Sequence, residues 1–337
     1  MTKAQMLTED ASGKSSIVTK PGNVNLDVGN AAVKINFNNL NQLSYGDSSK
    51  VVWGIDARAA INEGTAKLLS GGYVTGGSTI SAFIGYQRVF QDVKETKYEA
   101  DLATLRTATA PDFDKIDKVE KELIEYRKTI HFKKLFIYLA PSLNANTFRR
   151  YDSTIQGNFN NRYPKTKFRG GGIDLGINYT FAPRFLFGFS AGFETANTID
   201  SLANRESVVR TTTVSGNQTI IDDKKYTVKD GTYARYNRLN LKADFIYFAK
   251  VNEDYRLAWN MIYLRLFSPL NKKNIINDVL NMGTSVNFYK TKGNLAGGIY
   301  FQYTDVANRV SNEPDAVNHI DIGFIFSVGF SSIFGGR

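Results

Sequence analysis

Ile320-Asp321-Ile322-Gly323-Phe324-Ile325-Phe326-Ser327-Val328-Gly329-Phe330 alternates large apolar residues with smaller or polar ones. Successive side chains of an extended strand point to opposite faces. Ile320, Ile322, Phe324, Phe326, Val328 and Phe330 therefore share one face, while Asp321, Gly323, Ile325, Ser327 and Gly329 share the other. The period recurs upstream. Ile173, Leu175, Ile177, Tyr179 and Phe181 oppose Asp174, Gly176, Asn178 and Thr180, and after Ala182-Pro183-Arg184 the residues Phe185, Phe187, Phe189, Ala191 and Phe193 oppose Gly188, Ser190, Gly192 and Glu194. Leu239, Leu241, Ala243, Phe245 and Tyr247 stand against Arg238, Asn240, Lys242 and Asp244; Tyr255, Leu257, Trp259, Met261 and Tyr263 stand against Arg256, Ala258 and Asn260. Weaker alternation marks 51–60, 80–86, 135–146, 286–290 and 295–303.

A soluble β-sandwich also alternates, so the occupants of each face separate the two architectures. A sandwich turns Phe inward and Lys, Glu and Thr outward. Here the face opposite the apolar one carries Gly, Ser and Asn with scattered charges, which suits the crowded interior of a small barrel. The fold expected is all-β, a transmembrane antiparallel up-and-down β-barrel of about ten to twelve strands. A mean hydropathy of only −0.29 is compatible with this, because half of each strand faces a polar lumen. No stretch approaches the roughly 18 consecutive apolar residues of a membrane helix.

Connection lengths alternate from Gly170 onward: short at Pro183, long over 197–232, short at Asn252, long over 268–281, short at Gly293 and long over 304–318. Transmembrane barrels pair short turns on one side with long loops on the other. Tyr179, Phe181, Phe185, Tyr247, Phe248, Tyr255 and Tyr289 gather beside the short turns, as a girdle at that interface requires. Within the longest loop, residues 206–228 carry Ser215-Gly216-Asn217 between β-rich runs and read as a hairpin.

One segment breaks the pattern. Residues 91–132 place Ile116, Val119, Leu123, Tyr126 and Ile130 at three-four spacing, with Tyr98, Leu102 and Leu105 as an earlier helical face, so an α-helical hairpin is expected. Counting back from the C-terminus puts it on the short-turn side, where Ile116, Val119, Leu123 and Ile130 form a candidate face for docking a periplasmic or membrane partner. A further strand in 31–38 is expected to move it to the other side. Residues 1–48 read as an N-terminal arm or plug with one possible extra strand at Val33, Ile35 and Phe37, and 49–337 as the barrel.

The chain resembles bacterial outer-membrane β-barrel proteins in general. That resemblance implies residence in the bacterial outer membrane, contact with lipid and a porin-like or envelope-building role. Residues 1–30 show no charged region followed by an apolar core, so the expectation includes a leader removed or replaced. The strand number resembles, in outline alone, the outer-membrane proteases of the omptin family. His319 and Asp321 imitate half of that family's site, but no local motif matches.

The chemistry the residues allow is limited. The chain of 337 residues has no cysteine and two histidines, which excludes disulfides and thiolate chemistry, and no metal or cofactor is expected. The net charge of +10 is dispersed along the chain, so nucleic acid is not expected as a partner. His319 and Asp321 are the candidate catalytic pair at the external rim, for a barrel hydrolase acting on peptide or lipid. The simpler reading is a rim histidine with an incidental acidic neighbour, since any strand places residues i and i+2 on one face. His131 reads as a solvated residue among lysines. Gly170-Gly171-Gly172 lacks the Lys-Ser/Thr and the helix of a phosphate loop.

The expected lumen carries Asp56, Arg58, Asp174, Glu194, Arg238, Lys242, Asp244, Arg256 and Asp321, mixed in sign, with Phe83, Phe136, Tyr138, Tyr300 and Ile325 filling space. Such charges either set the selectivity of a pore or neutralise one another in a constricted interior. Three function classes follow: a non-enzymatic barrel acting as a narrow pore or envelope component, a barrel hydrolase, and a soluble β-rich binding protein.

Overall fold

The computed structural model describes residues 23–27, 32–39, 49–62, 65–66, 69–70, 73–74, 78–90, 93–108, 112–129, 133–151, 162–181, 184–199, 202–215, 218–251, 255–271, 276–290, 295–307 and 319–329. Expectations placed on Ile130, His131, the turn at Pro183 and Phe330 lie outside them.

The strands run, in chain order, β1 (Asn23–Asp27), β2 (Ala32–Asn38), β3 (Ser49–Asn62), three two-residue pieces β4 (Thr65–Ala66), β5 (Leu69–Ser70) and β6 (Tyr73–Val74), then β7 (Ser78–Phe90). Helices α1 (Val93–Thr107) and α2 (Phe113–Thr129) follow, then β8 (Lys133–Arg149), β9 (Lys165–Phe181) and β10 (Phe185–Asn197). A separate hairpin is formed by β11 (Ala203–Ser215) and β12 (Gln218–Asp230). The chain closes with β13 (Arg235–Lys250), β14 (Tyr255–Pro269), β15 (Val279–Lys290), β16 (Leu295–Tyr303) and β17 (Ile320–Gly329).

The main sheet has thirteen strands in the order β2-β1-β17-β16-β15-β14-β13-β10-β9-β8-β7-β3-β4, and β2 also pairs with β3. Only β4 lies off this path, so the partners of the other twelve can be followed antiparallel from strand to strand and back to β2. Residues 23–27 and 32–38 are thus strands of the sheet rather than an arm or plug. Two strands, not one, lie upstream of residue 49, and β1 joins the two ends of the chain by pairing with β17. Their short runs hide them from a periodicity reading: Val33, Ile35 and Phe37 offer only three alternations, and β1 only Val24 and Leu26.

The faces alternate as the sequence requires. Ile322, Leu175 and Trp53 are exposed at 62%, 58% and 53%, and Phe187, Phe189, Phe193, Ile299, Phe301, Phe324 and Phe326 are exposed beside them. Their strand neighbours Asn178, Ser190, Asn240, Lys242, Asp244, Ser285 and Gln302 are buried. A water-soluble protein arranges these classes the other way round.

On the buried face, large side chains repeatedly lie over a glycine directly opposite on the next strand. Tyr138 faces Gly176, Tyr263 faces Gly283, Tyr300 faces Gly323, Asp174 faces Gly192 and Asn287 faces Gly298. A Cβ added at any of these glycines would collide with the side chain above it. Glycine here provides space for a ring to lie flat against the wall. Gly176→Val should therefore lower stability by about 1–3 kcal/mol through overpacking. Combining it with Tyr138→Ala should restore part of the loss, as read by denaturant midpoints of the folded form.

One strand departs from simple alternation. In β14 the register to β13 passes from Phe245↔Ile262 to Ile246↔Asn260, and the register to β15 shifts between Asn260 and Tyr263, so Met261 and Ile262 form a β-bulge. Both bulged side chains are exposed, and Tyr263, expected outward, is instead fully buried. The bulge is pinned where Thr284 donates its hydroxyl to the Asn260 carbonyl (2.8 Å) and accepts from Trp259 Nε1 (3.0 Å). A two-for-one bulge reverses which residues face inward beyond it. Arg265 therefore enters the buried face.

The insertion forms the expected pair of helices, α1 and α2. Asp112 caps α2 by accepting from the Lys115 amide at 3.1 Å, and Glu95 and Arg106 sit in the first and last turns of α1, where their charges suit the helix dipole. Tyr98 packs on Tyr126 at one end, and Arg106 pairs with Glu120 at the other. Leu102 and Leu123 are buried between these ties. The hairpin follows β7, and by strand parity it shares a side with the connections at 182–184, 251–254 and 291–294. The two upstream strands do not move it across, because parity counted from the C-terminus is independent of what precedes the insertion.

Candidate functional site: the inward face

Of the nine charges read from the sequence as inward, Glu194, Lys242 and Asp244 are buried, Asp56, Arg58, Asp174, Arg238 and Arg256 are half-buried, and Asp321 is exposed. The structure gathers most of them into one wall made by β9, β10, β13 and β14. Near the long-loop end, Arg238 Nε donates to Glu194 Oε1 at 2.6 Å, and the guanidinium lies over the Phe267 ring. One level deeper, Lys242 Nζ reaches Asp174 Oδ2 at 3.1 Å.

Deeper still lies the pair that simple alternation missed. Arg265 Nη2 donates to Asp244 Oδ1 at 2.8 Å, with both side chains fully buried. Arg265 also donates to the carbonyls of Ala243 and Leu264, each at 2.9 Å, and lies over the Tyr263 ring. Asn260 Nδ2 donates to the same carboxylate oxygen at 2.8 Å. Lys242 and Arg265 stand directly opposite in register, a like-charge arrangement that is unfavourable by itself. Asp174 on one flank and Asp244 on the other neutralise it, so the four charges sum to zero.

The adjoining part of the inward face, on β3, β7 and β8, carries an apolar cluster. Val52, Phe83, Phe136 and Tyr138 form a buried cluster in which Phe136 stacks on Tyr138 at 5.5 Å and meets Phe83 edge-on at 6.4 Å. The remaining expected charges are scattered. Asp56 pairs with Asn36 of β2, Arg58 lies two residues beyond it, Arg256 lies toward the short-turn end, and Asp321 is exposed at the opposite rim, in register with Gln302.

At the long-loop end, Ile199, Leu202 and Phe148 are buried together with Tyr233 packed on them, tying both ends of the 198–234 connection to β8. Beside it is a cavity of about 200 Å³ lined by Ser78, Thr79, Asn144, Asn197, Phe168 and Arg238 among others. Asn144 Oδ1 has no protein partner there, nor do the buried amide oxygens of Asn240, Asn287 and Gln302 elsewhere on the inward face. Buried amide groups of this kind are ordinarily satisfied by water.

Of the candidate catalytic pair, His319 is drawn into a loop clamp while Asp321 is exposed. His319 is buried, its Nδ1 lies 2.9 Å from the Thr304 carbonyl, and its ring stacks on Tyr303 at 5.5 Å. Thr304 in turn donates its amide and hydroxyl to the His319 carbonyl at 2.7 and 3.0 Å. These contacts tie together the two ends of the 304–319 connection. Among the described residues no cluster of three or more metal-binding side chains occurs.

On the outer surface near the short turns, Phe181, Phe185 and Phe245 stack in series at 5.6 and 5.7 Å, with Tyr179 against Phe181 and Tyr247 against Phe185. Phe248, grouped with them in the sequence, takes the inward register of Ile246.

No known family matches the sequence, and no curated protein matches it. Among solved structures, the porin NanC aligns over 92% of this chain and 98% of its own, at 8% identity and a TM-score of 0.35.

Proposed function

We propose that this chain is a non-enzymatic outer-membrane protein whose twelve cyclically paired strands close as a transmembrane β-barrel around a narrow pore. The observation that carries the reading is the inversion of burial: large apolar side chains are exposed on β3, β7, β8, β9, β10, β14, β15, β16 and β17 and half-buried on β13, and charged and amide side chains are buried on the other face. Lipid stabilises the first face and a partly hydrated lumen the second.

Twelve strands fall between the small barrels that side chains fill and the large ones that leave an open aqueous channel. The rings that lie flat over glycines line the wall of such a lumen and leave its axis clearer than upright rings would. The neutralised charge wall gives weak ion selectivity, since neither sign dominates. Planar-bilayer recording on the purified protein tests this: small, nearly non-selective conductance steps are expected, and Phe136→Ala with Tyr138→Ala should enlarge them. Absence of conductance in both proteins would contradict the pore and leave a closed structural barrel.

A second role, assembly with a partner on the short-turn side, rests on the helical hairpin. Leu123 is used inside the hairpin and Ile116 and Val119 are half-buried, so a partner would meet Phe113 and Ile124, exposed at 76% and 53%. Deleting 93–129 should leave folding and conductance intact, because none of the paired strands is touched.

A further inference from the structure

The outward face of β9 changes character abruptly. From the short-turn end it reads Phe181, Tyr179, Ile177, Leu175, Ile173, then Gly171, then Arg169, Lys167 and Lys165, the last three all exposed. Adjacent strands add to the basic part. Arg149 of β8 stands opposite Lys165, and Arg235 of β13 reaches across the end of β10 to donate to the Arg169 carbonyl at 2.7 Å. The other outward positions at this level are Ala145, Thr147, Thr195, Asn197 and Asn237, none of them acidic. In the neighbouring hairpin Asp230 pairs with Arg205 and Asp223 with Arg210, while Glu206, three residues from its base, is exposed.

We infer that this five-cation patch binds the phosphate groups of anionic lipid in the leaflet on the long-loop side. The inference rests on the transmembrane reading, because only a bilayer edge near Gly171 brings headgroups to this height. From Ile173 to Phe181 is nine residues, which is about the number a tilted strand needs to cross the hydrocarbon. Outward residues two apart on a strand are separated by roughly 7 Å, so Lys165, Lys167 and Arg169 form a ladder that meets more than one phosphate oxygen at once. Guanidinium and ammonium groups supply charge-assisted hydrogen bonds to such oxygens. Free solution phosphate lacks the acyl chains that the Ile173–Leu175 surface directly below would hold, so the committed ligand is a membrane lipid.

The test uses the full chain reconstituted in phosphatidylcholine vesicles containing trace spin-labelled phosphatidylglycerol or spin-labelled phosphatidylcholine. The motionally restricted fraction of each label reports lipid at the protein surface. A basic residue near an anionic surface is worth about 1 kcal/mol, or roughly fivefold in association at 1.4 kcal/mol per decade. Selectivity for the anionic lipid of at least that size is expected, falling with added salt. K165Q/K167Q/R169Q should abolish it, whereas K115Q/K118Q/K121Q on α2 should leave it unchanged. Should the triple variant fail to insert, Lys167→Gln alone should still reduce the selectivity. Equal selectivity in wild type and the β9 variants overturns the lipid site and leaves the barrel standing; absence of any restricted component from either label overturns the transmembrane reading itself.

Discussion

Arg265→Leu should cost about 3–5 kcal/mol of stability, because it leaves the fully buried Asp244 carboxylate without its countercharge. The loss is compounded by geometry. Asn260 still donates to the same oxygen, but the Ala243 and Leu264 carbonyls lose their donor as well. The informative comparison is the double variant Arg265→Leu with Asp244→Leu. Removing both charges eliminates the stranded ion, so the double variant should be more stable than Arg265→Leu alone, as read by urea unfolding in vesicles. Additive losses in the double variant would mean that the two side chains do not form a pair.

Phe324→Arg should block assembly or cost about 2–4 kcal/mol, since Phe324 is exposed on β17 within the apolar band and lipid cannot solvate a guanidinium. The same substitution at an exposed site in water ordinarily changes stability by less than about 0.5 kcal/mol. Asp321→Arg, three residues away at the rim, should be tolerated. Equal tolerance of both variants would show that Phe324 faces water.

Much of this arrangement is legible in the sequence, for a physical reason. Strand periodicity is two, so Ile320 to Phe326 declares both faces without reference to any partner, and long strands such as Lys165–Phe181 repeat the signal many times. The alternation of loop lengths locates the helical hairpin independently. Short strands carry too few alternations to stand out: β1 and β2 are recognised through their ladders to β17 and β3, which are long-range features.

The buried centre is harder to read. Asp174, Glu194, Arg238, Lys242 and Asp244 all follow from alternation, but their pairing depends on which strands are neighbours. Arg265 is invisible to alternation because the Met261–Ile262 bulge reverses the faces halfway along β14. A signal exists nonetheless. Unbroken alternation would place Arg265 in the middle of the lipid, at a cost of about 2–4 kcal/mol, and a bulge upstream avoids it. The surroundings of His319 are hidden for a comparable reason: spacing puts it near Asp321, while the loop clamp with Tyr303 and Thr304 sets its contacts.

The central claim, that the exposed apolar face is a lipid face, is tested most directly by a spin-label scan along β9. The chain contains no cysteine, so each single-cysteine variant carries one label. Outward positions 165, 167, 173, 175, 177 and 181 are replaced in turn in the reconstituted protein, and collision rates with oxygen and with a water-soluble nickel chelate are measured. The account predicts oxygen collisions rising to a maximum at 173–177 and nickel collisions dominating at 165 and 167. High nickel accessibility at all six positions would contradict it and make this sheet a soluble one.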